Sequence, residues 1–173
     1  MKRTLKIVVT GPFNAGKSEL IRTISEIEVV STERGLTTKE DQIKAETTVA
    51  MDFGRTTLGG DTLHLFGTPG QARFEFMWAI LAKEMNGFIL LVDSTDKNSF
   101  TPAKRLIKLF TELATVPFLV GANKQDMADA LRPRDIRQLL KLDPDIPVLP
   151  LVATDKDSAR SVLVQMVQAI TWS

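Results

Sequence analysis

The sequence contains no cysteine and only one histidine among its 173 residues. The missing cysteine excludes disulfides, thiolate metal sites and thiol catalysis. An excess of one charge is missing too, because 22 Lys and Arg side chains nearly cancel 21 Asp and Glu side chains. Without an overall positive field we expect no nucleic-acid partner, and any phosphate binding must be local.

Long hydrophobic runs are also absent. The longest apolar stretches, residues 88–92 and 116–120, are far shorter than the roughly 20 residues of a membrane-spanning helix. Residues 1–11 begin with basic side chains, but their apolar run is so short that we interpret it as a first strand and not as a signal peptide. No glycine follows Met1 and no cysteine lies near the carboxyl end. We therefore expect a cytoplasmic protein without a stable membrane anchor.

The composition, 43% hydrophobic and 25% charged, is typical of one globular domain, which we place over residues 1–173. Short β-branched or aromatic runs alternate with segments of helical period, a pattern that predicts an α/β fold with helices on both faces of a parallel sheet. The predicted strands are residues 5–10, 49–57, 62–66, 88–92, 118–121 and 148–152. Helical stripes cover residues 17–26, 100–113 and 162–170, the second of them capped by Ser99.

A phosphate-binding pattern lies between the first strand and the first helix. Residues 11–18, GPFNAGKS, fit G-x-x-x-x-G-K-[ST]. Glycines let backbone N–H groups approach phosphate oxygens, Lys17 would neutralise the terminal phosphates, and the Ser18 hydroxyl would bind Mg²⁺. The alternative is a glycine turn that only starts a helix. The predicted phosphate-binding residues are Gly11, Phe13, Asn14, Ala15, Gly16, Lys17, Ser18 and Glu19.

A second polar loop predicts which base is bound. Asn123-Lys124-Gln125-Asp126 follows the predicted strand 118–121 and so emerges at the same sheet edge as the phosphate loop. An ionised Asp126 can accept hydrogen bonds from N1–H and the 2-amino group of guanine, whereas adenine offers neither donor. The predicted ligand is therefore GTP or GDP, with Asn123, Lys124 and Asp126 on the base.

These motifs, in this order and over essentially the whole chain, resemble the Ras-like small GTPases. The resemblance implies a three-layer P-loop NTPase fold with about six mostly parallel strands and about five helices. It also implies a switch that hydrolyses GTP, and a last base-binding loop at Val152, Ala153 and Thr154, where the Ala153 N–H would meet the guanine carbonyl.

The resemblance further assigns the polar stretch before the second predicted strand. Residues 30–48 would form switch I, which the γ-phosphate orders and hydrolysis releases. Thr48 would reach Mg²⁺, with Thr47 as the competing assignment. The stretch that matches the family's Thr-Ile-Gly-x-Asp-Phe is Thr48-Val49-Ala50-Met51-Asp52-Phe53.

The third motif departs from the family's Asp-x-x-Gly-Gln. It begins with Gly67, so the carboxylate that holds Mg²⁺ through a water is missing, and we expect weaker metal affinity. Gly70 and Gln71 remain, the first with its N–H on the γ-phosphate and the second orienting the attacking water. With Lys17 they are the predicted catalytic residues, and Ser18 and Thr48 are the predicted metal ligands.

Phe13 stands where Ras-like members often have glycine, so we expect slow intrinsic hydrolysis that a partner stimulates. The form Phe66-x-Thr-Pro-Gly-Gln71 resembles a prokaryotic group allied to the gliding-motility polarity GTPases, which work with roadblock-type partners. Regulatory proteins would bind through switch I and through switch II, residues 67–82. Within switch II, Trp78 or Phe76 would be an exposed partner anchor or part of the core, because residues 74–78 are too apolar for one buried helical face.

Other residues receive structural interpretations. His64 lies in an alternating strand and is interpreted as a strand-surface residue. For Asp93 a turn or cap role is preferred over the alternative, a contact with the Lys124 loop. Two other functions compete with the slow GTPase: a GTP-binding scaffold that does not hydrolyse, and an ATP-using phosphate-loop protein, against which Asp126 argues.

Overall fold

The computed structural model describes residues 2–31, 52–69 and 75–173. Within these ranges the chain forms seven strands and five α-helices. The strands are β1 (Thr4–Thr10), β2 (Val30–Ser31), β3 (Asp52–Leu58), β4 (Asp61–Gly67), β5 (Gly87–Asp93), β6 (Phe118–Asn123) and β7 (Val148–Pro150). The helices are α1 (Lys17–Ile24), α2 (Glu75–Ala82), α3 (Phe100–Leu113), α4 (Pro133–Leu140) and α5 (Lys156–Thr171).

All the described strands belong to one sheet, in the order β2-β3-β4-β1-β5-β6-β7. β1 pairs in parallel with β4 and β5, and the parallel pairing continues through β6 to β7. The hairpin of β3 and β4 is antiparallel, as is the two-residue β2 against β3. The predicted fold class, with six longer and mostly parallel strands and five helices, is confirmed.

Side chains alternate between the two faces of the sheet and build two hydrophobic clusters. Along β5, Phe88, Leu90 and Val92 point to one cluster, while Ile89 and Leu91 point to the other. Helices α2, α3 and α4 cover the first face, and α1 and α5 cover the second. Strands that are buried on both faces read as continuous apolar runs, which is why β5 has no polar alternation.

Several boundaries differ from the prediction. α1 ends at Ile24, where Ser25 turns to extended backbone, and β7 ends at Pro150. Ser99 precedes α3, but its hydroxyl donates to the Asp96 carbonyl at 2.6 Å and does not cap the helix. α4 was not predicted, although proline in its first turn and a buried Ile136–Leu140 pair at i, i+4 are ordinary signals for a helix.

The topology brings the carboxyl ends of the parallel strands β1, β5 and β6 to one edge of the sheet.

His64 is half-buried on β4, and the edge of its ring packs against Phe53 with 5.6 Å between the ring centres. This environment agrees with its interpretation as a structural residue of the strand. Among the described residues, no helix has both the length and the apolar character needed to cross a membrane.

Candidate nucleotide-binding site

Two glycines of the loop between β1 and α1 lie where a side chain would not fit. A Cβ on Gly11 would come within 2.4 Å of the Leu91 carbonyl oxygen, and one on Gly16 within 2.2 Å of Asn123 Nδ2. Gly16 also has a φ of +102°, in the region that favours glycine. It is the N-cap of α1, so the loop presents the positive end of that helix to the pocket.

Lys17 reaches back over the loop. Its Nζ donates to the carbonyl oxygens of Gly11 at 2.6 Å and of Pro12 at 3.0 Å. The ammonium group is therefore held above the loop by backbone acceptors, where it can meet the terminal phosphates of a nucleotide.

Ser18 and Asp52 form a contact that sequence reasoning missed. The Ser18 hydroxyl donates to Oδ2 of Asp52, the first residue of β3. Asp52 is buried and stands directly opposite Gly67 across the antiparallel β3–β4 ladder. The sequence places Asp52 only in a loose resemblance to a family motif; its meeting with Ser18 depends on strand register, which the sequence does not state.

These residues border one pocket of about 330 Å³, within the range of small-ligand sites. It is lined by Phe13, Asn14, Ala15, Gly16, Lys17, Ser18, Glu19, Arg22, Asp52, Gly67, Thr68, Pro69 and Lys124. Thr68 is fixed by its hydroxyl, which donates to Thr10 Oγ1 at 2.9 Å. Most of the predicted phosphate-binding residues thus meet in one place.

The donor set suits Mg²⁺. A hydroxyl and an adjacent carboxylate are hard oxygen groups, and Mg²⁺ is usually held by few protein oxygens together with substrate phosphates and waters. Within residues 2–31, 52–69 and 75–173 no group of three or more His, Cys, Asp and Glu could hold a metal ion alone.

Asn123 joins the phosphate loop to the last predicted base loop. Its buried amide Nδ2 donates to the Ala15 carbonyl at 2.9 Å, and its Oδ1 accepts the Ala153 N–H at 2.9 Å. The predicted contact of the Ala153 N–H with guanine would therefore have to be shared with Asn123. Val152 is held by its N–H donating to Ser158 Oγ at 2.9 Å, and Thr154 is exposed beside it.

Asp93 does contact Lys124, so that part of the prediction is wrong. Lys124 Nζ and Asp93 Oδ2 are 2.7 Å apart, and Asp93 Oδ1 accepts from the Thr95 N–H and hydroxyl. Burial opposes ionisation of Asp93, but the hydrogen bonds from Lys124 and Thr95 outweigh it and lower its pKa below the usual 3.8. The turn interpretation and the contact are both true because Asp93 has two carboxylate oxygens.

Gln125 holds the rest of the loop at residues 123–126 in place, and Asp126 is exposed to solvent. Gln125 Nε2 donates to Ser94 Oγ at 2.9 Å and to the Leu131 carbonyl at 2.8 Å. Asp126 is exposed at the same sheet edge. Its carboxylate is therefore available to a ligand.

Three aromatic residues, Phe13 of the phosphate loop and Phe76 and Trp78 of α2, differ in their exposure to solvent. Phe13 is 67% exposed at the pocket, and Phe76 is 59% exposed on α2. Trp78 is buried, with its Nε1 donating to the Pro69 carbonyl at 3.3 Å and its ring 5.9 Å from that of Phe110. Of the two candidate anchors, Trp78 is therefore core and Phe76 faces out.

Several predicted residues lie outside the described residues. They are Thr47 and Thr48 of switch I, Gly70 and Gln71 of the third motif, and Phe74 of switch II. Their predicted roles stay predictions.

The fold and the loops at its edge define the class of small GTPases in the Ras-like superfamily. The family model for the ADP-ribosylation factor family matches residues 1–172, and the chain belongs to that family. Proteins of this family bind guanine nucleotides and regulatory proteins, and they are generally GTPases.

The chain is also similar to individual proteins. The chain is 33% identical over 128 residues to an uncharacterised protein of Methanocaldococcus jannaschii, covering 74% of this chain and 75% of that protein. It is 29% identical over 168 residues to human ADP-ribosylation factor-related protein 1, covering 95% of this chain and 76% of the relative. The structure of the Arl6 (BBS3) small GTPase of Trypanosoma brucei, with the bound nucleotide analogue GppNp, shares the fold, with a TM-score of 0.77, 20% identity and 98% coverage of both chains.

Proposed function

We propose that this chain is a GTP-binding switch that slowly hydrolyses GTP to GDP and phosphate and signals to partner proteins. The observation that carries the proposal is the position of Asn123. One buried side chain, that of Asn123, ties the phosphate loop at Ala15 to the predicted base loop at Ala153 and holds the two loops together. A nucleotide with its phosphates on one loop and its base on the other fits that arrangement.

In this proposal the protein acts by positioning and by electrostatics. Lys17 and the N-terminus of α1 stabilise the negative charge that develops on the phosphates. Ser18 and Thr48 would hold Mg²⁺, which would supply further positive charge beside the terminal phosphates. Gln71 orients the attacking water and the Gly70 N–H meets the γ-phosphate. Phe13, an exposed residue of the phosphate loop, would keep intrinsic turnover slow.

Guanine preference is assigned to Asp126. Its exposed carboxylate, two residues beyond the pocket-lining Lys124, can pair with N1–H and the 2-amino group, and an adenine base would leave it unpaired. We expect Asp126→Asn to remove the preference for GTP over ATP. An unchanged preference for GTP over ATP would show that Asp126 does not read the base.

Partners would bind through switch I and switch II, where Phe76 offers an exposed apolar side chain. The form of residues 66–71 supports placing the chain in the prokaryotic group allied to the gliding-motility polarity GTPases, with roadblock-type partners. We also propose that residues 1–173 act as one G domain in the cytoplasm, where GTP is available.

The test begins with nucleotide-stripped protein in a calorimeter. GDP and GTP should give binding heats and ATP should not; absence of heat with both guanine nucleotides would refute the proposal. Single-turnover hydrolysis with Mg²⁺ then compares the unchanged protein with Gln71→Ala. A slower variant supports the enzyme, whereas equal rates near background would identify a scaffold that does not hydrolyse GTP.

A further inference from the structure

The end of β4 lacks the carboxylate expected at Gly67, but the adjacent strand carries one. Asp52 and Gly67 are directly paired across the antiparallel ladder, and opposed residues of such a ladder point to the same face. A Cβ built on Gly67 would lie 3.5 Å from the Cβ of Asp52. Carboxylates at the two positions would therefore enter nearly the same space.

Asp52 also contacts the residue that a metal would need. Its Oδ2 accepts the Ser18 hydroxyl hydrogen. That hydrogen bond fixes the rotation of the hydroxyl and leaves the oxygen lone pairs of Ser18 for a cation. Ser18 directly follows Lys17, so a cation on Ser18 would lie beside the phosphates that Lys17 meets.

The carboxylate has little compensation from the protein. Asp52 is 9% exposed, and none of the ion pairs formed by the described residues includes it. A buried carboxylate without a cation is costly. A divalent cation that arrives with a nucleotide would supply the missing charge at the pocket that Asp52, Ser18 and Thr68 line.

We propose that Asp52 replaces, from the neighbouring strand, the carboxylate absent at Gly67. It is a positioning residue that orients the Ser18 hydroxyl and accepts hydrogen bonds from waters of the nucleotide-bound Mg²⁺. The inference rests on the proposed nucleotide function and removes the reason for expecting weak Mg²⁺ binding, because that expectation assumed no carboxylate at this place.

The experiment measures release of a fluorescent GDP analogue from the full chain across free Mg²⁺ concentrations from micromolar to millimolar. For Asp52→Asn we expect the Mg²⁺ concentration that gives half-maximal retention to rise about 10- to 100-fold, as for other groups that orient a metal ligand. Release in EDTA should not change, because Asp52 acts only through the cation. Asp145→Asn, which removes an exposed carboxylate before β7, is the matched control and should behave like the unchanged protein.

A carboxylate transfer provides the second variant. Asp52→Ala combined with Gly67→Asp moves the carboxylate to β4 and should return the Mg²⁺ midpoint toward its original value. The new Cβ would come 2.9 Å from Ile21 Cδ1, the far end of a flexible side chain that can turn aside. Binding of Mn²⁺ to the GDP complex, followed by electron paramagnetic resonance, reports the metal directly, and circular dichroism confirms that each variant is folded.

The outcomes separate this inference from the proposed function. An unchanged Mg²⁺ midpoint in Asp52→Asn, or faster release by the same factor with and without Mg²⁺, would overturn the role of Asp52 while nucleotide binding stands. If Asp52→Asn does not fold, the transfer variant decides, because loss of Mg²⁺-dependent retention in that folded protein refutes the replacement. Failure of the unchanged protein to retain GDP would refute the proposed function itself.

Discussion

At the scale of single residues, Asn123 is the side chain on which the arrangement of the site depends. Its side-chain amide donates a hydrogen bond to the Ala15 carbonyl and accepts one from the Ala153 N–H, and both of these backbone groups belong to buried residues. We predict that Asn123→Ala lowers the free energy of unfolding by about 1–3 kcal/mol for each group left unpaired. Affinity for GDP should fall as well, because the two loops lose their shared support. Denaturant unfolding and calorimetry measure the two effects.

The control for this prediction is Asn98→Ala in the exposed turn before α3. It removes the same side chain where no buried group depends on it, so stability and GDP affinity should stay unchanged. Equal behaviour of the two variants would show that the bridge by Asn123 does not organise the site.

Individual site residues were predictable where a local pattern carries them. Gly16, Lys17 and Ser18 follow from a motif of eight consecutive letters between a strand and a helix. Asp52 was not predictable in its role, because its meeting with Ser18 depends on the pairing of β3 with β4 across the sheet. The Asp93 contact has the same cause: it joins the ends of two neighbouring strands that are distant in sequence.

At the scale of elements, the ion pair between Asp93 and Lys124 connects the end of β5 to the loop after β6. We predict that Asp93→Asn lowers the free energy of unfolding by about 1–2 kcal/mol, below the range of a fully buried pair because the Lys124 side chain is 36% exposed. Since the folded pKa of Asp93 is lowered, its stabilisation is present above the unfolded value of 3.8 and is lost as pH falls through the folded pKa.

Unfolding of both proteins between neutral and acidic pH measures this dependence. The difference in unfolding free energy between the unchanged protein and Asp93→Asn should be constant near neutral pH and narrow below about pH 4. A difference that grows toward acid would contradict the assigned direction.

Helix α2 offers a second prediction at this scale, because its two aromatic residues have opposite environments. Trp78 is 5% exposed and Phe76 is 59% exposed. Trp78→Ala should therefore destabilise the protein by about 3–5 kcal/mol, from lost burial and the cavity left beside Phe110. Phe76→Ala, the internal control, should change stability by no more than about 0.5 kcal/mol.

Urea or thermal unfolding measures the loss of stability in Trp78→Ala and in Phe76→Ala. Similar losses in both would place Phe76 in the core and end its role as an exposed contact for partners. The sequence predicted that at least one of the large apolar residues among 74–78 faces out. That Phe76 is exposed and Trp78 is buried depends on how α2 rotates against the Trp78–Phe110 contact, and no local pattern encodes that rotation.

At the scale of the whole molecule, the fold could be predicted because each layer has its own periodicity. β5 is apolar throughout and buried on both faces, and the stripe of α3 recurs at helical spacing. Helix α4 was not predicted because most of its residues are polar and only Ile136 and Leu140 are buried. The meeting of the loops after β1 and β6 at one edge followed from the parallel direction of the predicted strands.

The last prediction concerns the linkage between nucleotide binding and global stability. A ligand that binds only the folded chain stabilises it by RT ln(1 + [L]/Kd), about 2.7 kcal/mol at one hundred times Kd. For a chain of this size that corresponds to a rise in Tm of about 5–11 °C. GDP with Mg²⁺ should produce this shift in a thermal scan of nucleotide-stripped protein, and ATP should not.

The control variant for this shift is Gly16→Ala, because its Cβ would collide with Asn123 and its φ disfavours a side chain. It should lower the starting Tm and abolish the further rise with GDP. If GDP stabilises Gly16→Ala as much as the unchanged protein, the nucleotide binds elsewhere and the loop between β1 and α1 is not its site. Removing Mg²⁺ with EDTA should reduce the GDP shift without eliminating it, because the phosphate loop and the base loop bind the nucleotide by their own hydrogen bonds.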